Sequence, residues 1–243
     1  MYTENFKIDA NMVDCFGRIR PSAILYLAQE AAGGHCLELA LDWDTLAGKG
    51  LFWALIRCTV QVTRLPRIGE TVTVETWPMP TTRTAFPRST VGRDEKGNEL
   101  FRVIALWVLM DISTRAMVLP GKSGILLEGT CYGTELATPT SLLPVTGDHA
   151  VFRTVGYTEL DRNGHMNNTR YMNWVDDLLP AAFHREHPVT QFSICYMSEV
   201  REGEELLLDW RLTDGPELLV DAHREMTETD RKNARVFSAR VVF

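Results

Sequence analysis

Apolar positions fall into two successive blocks, each opening with helical spacing and continuing with runs of strand character. In the first block, Pro21 to Leu41 places Ile24, Leu25, Leu27, Ala28, Ala31 and Ala32 on one helical face, with Pro21 where a helix start tolerates it. Four strand-like runs follow, Leu51 to Arg64, Glu70 to Trp77, Ala85 to Arg93 and Leu100 to Met110, and Asp94-Glu95-Lys96-Gly97-Asn98 predicts the hairpin turn joining the last two. The second block repeats the order: a helix over Thr169 to Leu179, strands over Gln191 to Val200, Glu204 to Leu212, Glu217 to Glu225 and Ala234 to Phe243, and a turn at Asp230 to Asn233. An antiparallel sheet must cover one of its faces, so each block predicts one long helix wrapped by a sheet, an α+β fold. Glycines and prolines between Ile112 and Asp148 predict the connection, with a short helix around Gly124 to Glu128.

The blocks are one unit written twice. Asp14-Cys15-Phe16-Gly17-Arg18-Ile19 lines up with Asp161-Arg162-Asn163-Gly164-His165-Met166 at a shift of 147 (161 − 14), matching the aspartate and the glycine. Further on, Arg67-Ile68-Gly69-Glu70 lines up with Arg201-Glu202-Gly203-Glu204 at a shift of 134 (201 − 67). The smaller shift implies an insertion of 13 residues (147 − 134) in the first copy, and Asp42 to Gly50 is the predicted place, where it would reshape a pocket wall. The expected domains are residues 1–120, a connection over 121–148, and residues 149–243.

A length of 243 residues accommodates two units with sizeable cores, and 45% hydrophobic with 23% charged residues is an ordinary globular composition. The start of the chain lacks the basic and apolar segments of a signal peptide, and no long apolar run occurs, which predicts a cytoplasmic protein without a membrane span. Cys15, Cys36, Cys58, Cys131 and Cys195 are odd in number and lack CxxC spacing, so reduced, mostly buried thiols are expected. A net charge of −7 argues against nucleic acid as a partner.

The densest chemistry lies in Asp161-Arg162-Asn163-Gly164-His165-Met166-Asn167-Asn168. Asp161, Asn163 and His165 alternate, so on an extended loop they would point to one side and converge on one substrate atom. A helix starting just after the octet would offer backbone N–H groups near Asn167 and Asn168 to a developing oxyanion. These are parts for acyl transfer or hydrolysis. Taken singly, Asp161 with Asn163 reads as an Asx-turn and Asn167 or Asn168 as a helix cap; capping does not account for His165 as well. No metal is expected, because Asp161 and His165 lack a third ligand nearby. His184 and His187 read as facing water, and His35, after Gly33-Gly34, as a helix-end or pocket residue.

The D-x-N-x-H-x-N-N pattern on a duplicated helix-plus-sheet unit resembles the acyl-acyl carrier protein thioesterases of plants and bacteria. That resemblance implies a tandem, or double, hotdog whose second half is catalytic, with Asp161, Asn163 and His165 joined by a strand glutamate, for which Glu199 stands in place. Plant members have a cysteine directly after the glutamate; Val200 here removes that nucleophile. The first copy carries Asp14, Phe16, Arg18 and Leu65 at the positions of Asp161, Asn163, His165 and Glu199, so only the second retains the chemistry. The first half is then implied to house the acyl tail, with Phe52, Trp53, Ile24 and Ala28 as lining; each also reads as plain core.

The implied reaction is hydrolysis of fatty acyl-acyl carrier protein, releasing free fatty acid and ending chain elongation. Asp161 would act as general base or as a nucleophile forming an anhydride, His165 and Asn163 would orient the attacking group, and Glu199 would activate water. No cofactor is called for. The partner would be acyl carrier protein with its 4'-phosphopantetheine arm, docking at Arg162 and Arg170 together with some of Arg231, Lys232 and Arg235. An acyl-coenzyme A thioesterase of the same fold, a non-catalytic acyl-binding hotdog protein and, more remotely, a hotdog dehydratase are the competing readings. Fused units allow a monomer, and a homodimer is equally compatible.

Overall fold

The computed structural model describes residues 1–133, 135–224 and 235–243. The chain divides into two compact units, Met1–Pro139 and Thr140–Phe243, and the boundary falls inside the glycine- and proline-rich connection.

The first unit contains β1 (Tyr2–Lys7), α1 (Pro21–Glu38), α2 (Trp43–Ala47), β2 (Leu51–Val62), β3 (Thr71–Pro78), β4 (Phe86–Arg93), β5 (Glu99–Asp111), the short β6 (Met117–Val118) and α3 (Pro120–Ser123). Its strands run antiparallel in the order β1-β3-β4-β5-β2, with β6 on β5. Pro21 sits in the first turn of α1, as its missing N–H allows, and Ile24, Leu27 and Ala31 are completely buried. Gly34 is required where α1 meets β1, because a Cβ there would collide with the Tyr2 ring. The predicted insertion forms α2, whose N-cap Asp42 accepts from the amides of Asp44 and Thr45. Seven consecutive residues of β4 are buried, so this strand is covered on both faces.

The second unit contains β7 (His149–Thr154), a 3₁₀ turn (Tyr157–Glu159), α4 (Tyr171–Asp176), α5 (Ala181–Glu186), β8 (Gln191–Tyr196), β9 (Glu205–Leu212), β10 (Glu217–Arg224) and β11 (Arg235–Val242), in the strand order β8-β11-β10-β9-β7. Tyr171 of α4 is packed edge-on between the rings of Tyr196 and Phe237, and Met172 and Val175 are fully buried.

The α+β hotdog architecture stands, with three differences in its parts. The second-copy helix is two six-residue pieces, because Pro180 keeps Leu179 from helical backbone and removes an amide donor. The short connecting helix precedes Gly124, which ends it with a φ of 71°, whereas the sequence predicts one after Gly124. β1 and β7 were not predicted, yet β7 is β1 displaced by 147 residues (149 − 2), the shift of the motif. The Asp94–Asn98 turn forms as predicted, with Asp94 Oδ1 accepting from the Lys96 and Asn98 amides; the turn expected at Asp230–Asn233, with Arg231 and Lys232, lies outside the described residues. Cys58 and Cys195 are buried, but Cys15 and Cys131 are exposed. Among the described residues, no helix is long and apolar enough to cross a membrane.

Candidate active site

The octet is a tight loop rather than an extended one. Asp161 N donates to His165 O at 2.8 Å and Gly164 N donates to Asp161 O at 3.0 Å, with Gly164 at a φ of 74° where a side chain would be strained. Asp161 Oδ1 accepts from the amides of Asn163 (2.7 Å) and, more weakly, His165 (3.4 Å), while Oδ2 accepts from Asn163 Nδ2 at 3.3 Å. The same turn occurs in the first unit, where Asp14 N donates to Arg18 O at 2.7 Å, Gly17 has a φ of 72°, and Asp14 Oδ1 accepts from the amides of Phe16 (2.8 Å) and Arg18 (2.9 Å). The aspartate is kept in both copies because the turn needs it. Asp14→Ala and Asp161→Ala are each expected to destabilise by about 1 kcal/mol, the usual cost of losing such a cap, and urea unfolding of both variants checks that the costs match.

The repeat also explains how Glu199 reaches the loop. Ile19 N donates to Pro66 O and Met166 N to Val200 O, both at 2.8 Å, so each turn is pinned to the residue that follows Leu65 or Glu199. In the second unit this brings His165 Nε2 to 3.3 Å from Glu199 Oε2. The His165 side chain is 8% exposed and that of Glu199 41%, which puts the imidazole behind a carboxylate that faces solvent. In the first unit the corresponding positions carry Arg18, paired with Asp14 at 2.9 Å, and Leu65. Asn163 Oδ1 is buried and accepts no hydrogen bond among the described residues, leaving an acceptor for a water or a substrate N–H.

Several residues that sequence reasoning did not single out hold this loop. Arg224 on β10 donates to Ser198 Oγ (2.6 Å), to Glu199 O (2.5 Å) and to Glu204 Oε2 (3.2 Å), fixing the chain at Glu199. Glu159 accepts from Trp174 Nε1 at 2.6 Å and from Gly156 N at 2.9 Å, and its carbonyl accepts from Asn167 N at 2.8 Å. Tyr196 Oη donates to Asn168 O at 2.7 Å. The Asn167 amide is therefore taken, and its side-chain oxygen accepts from Thr169 N and Oγ1, so neither group is left for an oxyanion. α4 begins only at Tyr171, two residues after the predicted start at Thr169, and has six residues. Arg162 and Arg170 are both exposed beside the loop. His184 and His187 are half-buried rather than turned to water, bonded to Asp176 O and Phe183 O.

The first unit contains a cavity of about 180 Å³. Ala32, Gly33 and Cys36 of α1 form one wall, and Trp53, Phe86, Arg88 and Trp107 of the sheet form the other. Of the four lining residues expected from sequence only Trp53 is there. Phe52 points to the opposite face of β2, under Trp43 and Arg115, Ile24 is core, and Ala28 immediately precedes Gln29, where the lined part of α1 begins. Asp42 and Trp43 from the insertion do form part of the wall, as predicted. His35 beside the cavity stays neutral down to about 4, because burial and then the Arg88 charge oppose its protonation. Its folded value lies below the ordinary 6.5, so the unfolded chain takes up the proton first. That contribution to stability is complete above about 6.5 and is lost as pH falls toward 4. Urea midpoints near pH 7 and pH 5 are expected to differ more in the wild type than in His35→Gln.

The duplicated helix-and-sheet unit defines the class first: this is a double hotdog. The architecture is that of an acyl-ACP thioesterase structure from Bacteroides thetaiotaomicron (TM-score 0.88, 23% identity, 99% of this chain and 96% of that one). It is also that of the 12:0-ACP thioesterase from Umbellularia californica (TM-score 0.82, 23% identity, 99% and 96%). The chain belongs to the acyl-ACP thioesterase family, matching the family's N-terminal domain over residues 1–119 and its C-terminal domain over residues 149–238. Among curated proteins it is similar to a chloroplastic palmitoyl-acyl carrier protein thioesterase from Gossypium hirsutum, 24% identical over 82% of this chain and 52% of that protein. It is likewise similar to a dodecanoyl-[acyl-carrier-protein] hydrolase from Umbellularia californica, 28% identical over 73% and 50%. The chain spans about half the length of these relatives.

Proposed function

We propose that this protein hydrolyses the thioester of fatty acyl-acyl carrier protein, releasing free fatty acid and ending elongation in fatty acid biosynthesis. The observation that carries this reading is the His165–Glu199 contact at 3.3 Å, built on a turn whose other copy lacks both groups. Water held by Glu199 attacks the thioester carbonyl carbon and gives its proton to the Glu199 carboxylate, which His165 keeps oriented. The Asn168 N–H faces the oxyanion, the C–S bond breaks, and the thiolate leaves without needing a strong general acid. Of the roles open to Asp161, orientation of Asn163 and His165 fits best, because both of its oxygens are engaged by the turn and Asp14 repeats the Oδ1 bonds where no chemistry is retained. A cytoplasmic setting suits the five cysteines, none of which is in a disulfide.

Acyl carrier protein is acidic, so a protein of net charge −7 needs local positive charge to receive it, and exposed Arg162 and Arg170 flank the loop. Hydrolysis rates for acyl-acyl carrier protein and acyl-coenzyme A of equal chain length test the carrier. The carrier-protein ester is expected to have the higher kcat/KM; preference for the coenzyme A ester would overturn the assignment. Arg170→Glu is expected to raise KM for the carrier-protein substrate far more than for a short synthetic thioester, and equal effects on the two would contradict docking at this rim.

A further inference from the structure

The cavity of the first unit has a feature that an apolar tail alone does not call for. Arg88 lines it, is 6% exposed, and has no carboxylate partner among the described residues. Its guanidinium donates to neutral His35 Nδ1 (3.1 Å) and to Thr76 Oγ1 (3.3 Å), with Cys36 Sγ at 3.9 Å, so its positive charge is held but not balanced. A buried cation without a counter-charge is costly, and a site that keeps one implies that an anion arrives from outside. The second observation is Trp107, another lining residue, whose indole N–H is buried and has no acceptor among the described residues, whereas the Trp53 indole donates to Leu41 O at 2.9 Å. Register places these groups together. Phe86 of β4 is opposite Trp107 of β5, and Arg88 lies two residues beyond Phe86, so all three project from the same sheet face. The cavity thus offers a cation amid Trp53 and Phe86, which meet edge-on at 4.9 Å, with the unbonded Trp107 N–H buried within its wall.

We propose that this cavity binds a carboxylate carried on a short alkyl chain, the carboxylate accepting from Arg88 and the chain lying against Trp53 and Phe86. A volume of about 180 Å³ is slightly more than that of an engineered cavity that takes benzene, and it suits a chain segment rather than a long tail. Two sources supply this chemistry: a free fatty acid, or an acyl group that ends in a second carboxylate. Binding of the free acid does not depend on thioester hydrolysis; the second source rests on the proposed function above.

Calorimetric titration of the full chain with octanoate, octanol and inorganic phosphate tests the proposal. Octanoate is expected to bind at least about tenfold more tightly than octanol, as a charge-assisted hydrogen bond provides, and phosphate is expected not to displace it. In Arg88→Met, which removes a buried charge without opening a void, the octanoate preference is expected to vanish. Trp107→Phe, expected to weaken octanoate alone, serves if Arg88→Met fails to fold. Equal binding of octanoate and octanol by the wild type, an unchanged preference in a folded Arg88 variant, or displacement of octanoate by phosphate would each overturn the site. In a separate arm, turnover of a carboxyl-terminated acyl thioester is compared with that of its methyl-terminated counterpart. A preference for the former that Arg88→Met removes identifies the acyl source. Equal turnover, with octanoate still bound, identifies the free acid. Loss of all turnover with octanoate binding intact would sink the thioesterase reading and leave this one standing.

Discussion

His165→Ala is expected to lower kcat for thioester hydrolysis by roughly 10²–10⁴, the range that a positioned general base contributes, because Glu199 loses the group that orients it, with little change in KM. The imidazole lies behind Glu199, 3.3 Å from its carboxylate, and is too buried to form part of a docking surface. Removing it takes away the contact that orients the Glu199 carboxylate, so the loss falls on the chemical step. Glu199→Gln, which keeps the shape and removes the base, is expected to fall in the same range. Arg18 and Leu65 hold the equivalent places in the first unit, and Leu65→Ala there is expected to leave kcat unchanged. Rates at saturating substrate for the three variants check the claim, and a comparable loss from Leu65→Ala would contradict a single active copy.

The largest expected effect on stability is at Asp221, which is completely buried in β10. Its Oδ1 accepts from Arg235 Nε (2.9 Å) and Nη2 (2.6 Å), and its Oδ2 accepts from Val145 N at 3.0 Å. Arg235 also donates to Leu142 O at 3.1 Å, so one carboxylate fastens the segment entering the second unit to β10 and β11. Asp221→Ala would strand a guanidinium that is 22% exposed and a backbone N–H. Breaking such a pair costs about 3–5 kcal/mol, and partial access of Arg235 to water puts this case near 3. Urea unfolding is the measurement; a cost under about 1 kcal/mol would show that the pair is merely solvated.

The sequence carried the duplication further than its own reading took it. Shifts of 147 and 134 residues recovered from Asp14, Gly17, Gly69 and their counterparts are reproduced bond for bond, and the larger one would have located β7 from β1. Both strands were missed because edge strands with one solvated face carry few apolar residues; alternate positions of β1 are exposed. The second helix was drawn too long because apolar spacing continues through Leu178 and Leu179, while Pro180 decides where the backbone stops. Glu199 was legible through the motif, but Arg224, which holds its carbonyl, was not, since nothing near Arg224 in sequence marks it. Arg88 was equally hidden: one basic residue within a strand reads as a solvated face until β4 proves buried on both sides.

Release of free thiol from dodecanoyl-acyl carrier protein, followed side by side for the wild type and a folded His165→Ala variant, tests the central claim most directly. The account predicts steady release by the wild type and loss of about 10²-fold or more in the variant, with unfolding midpoints that agree. No release by the wild type, or equal release by the two proteins, would contradict thioester hydrolysis at the second copy's loop.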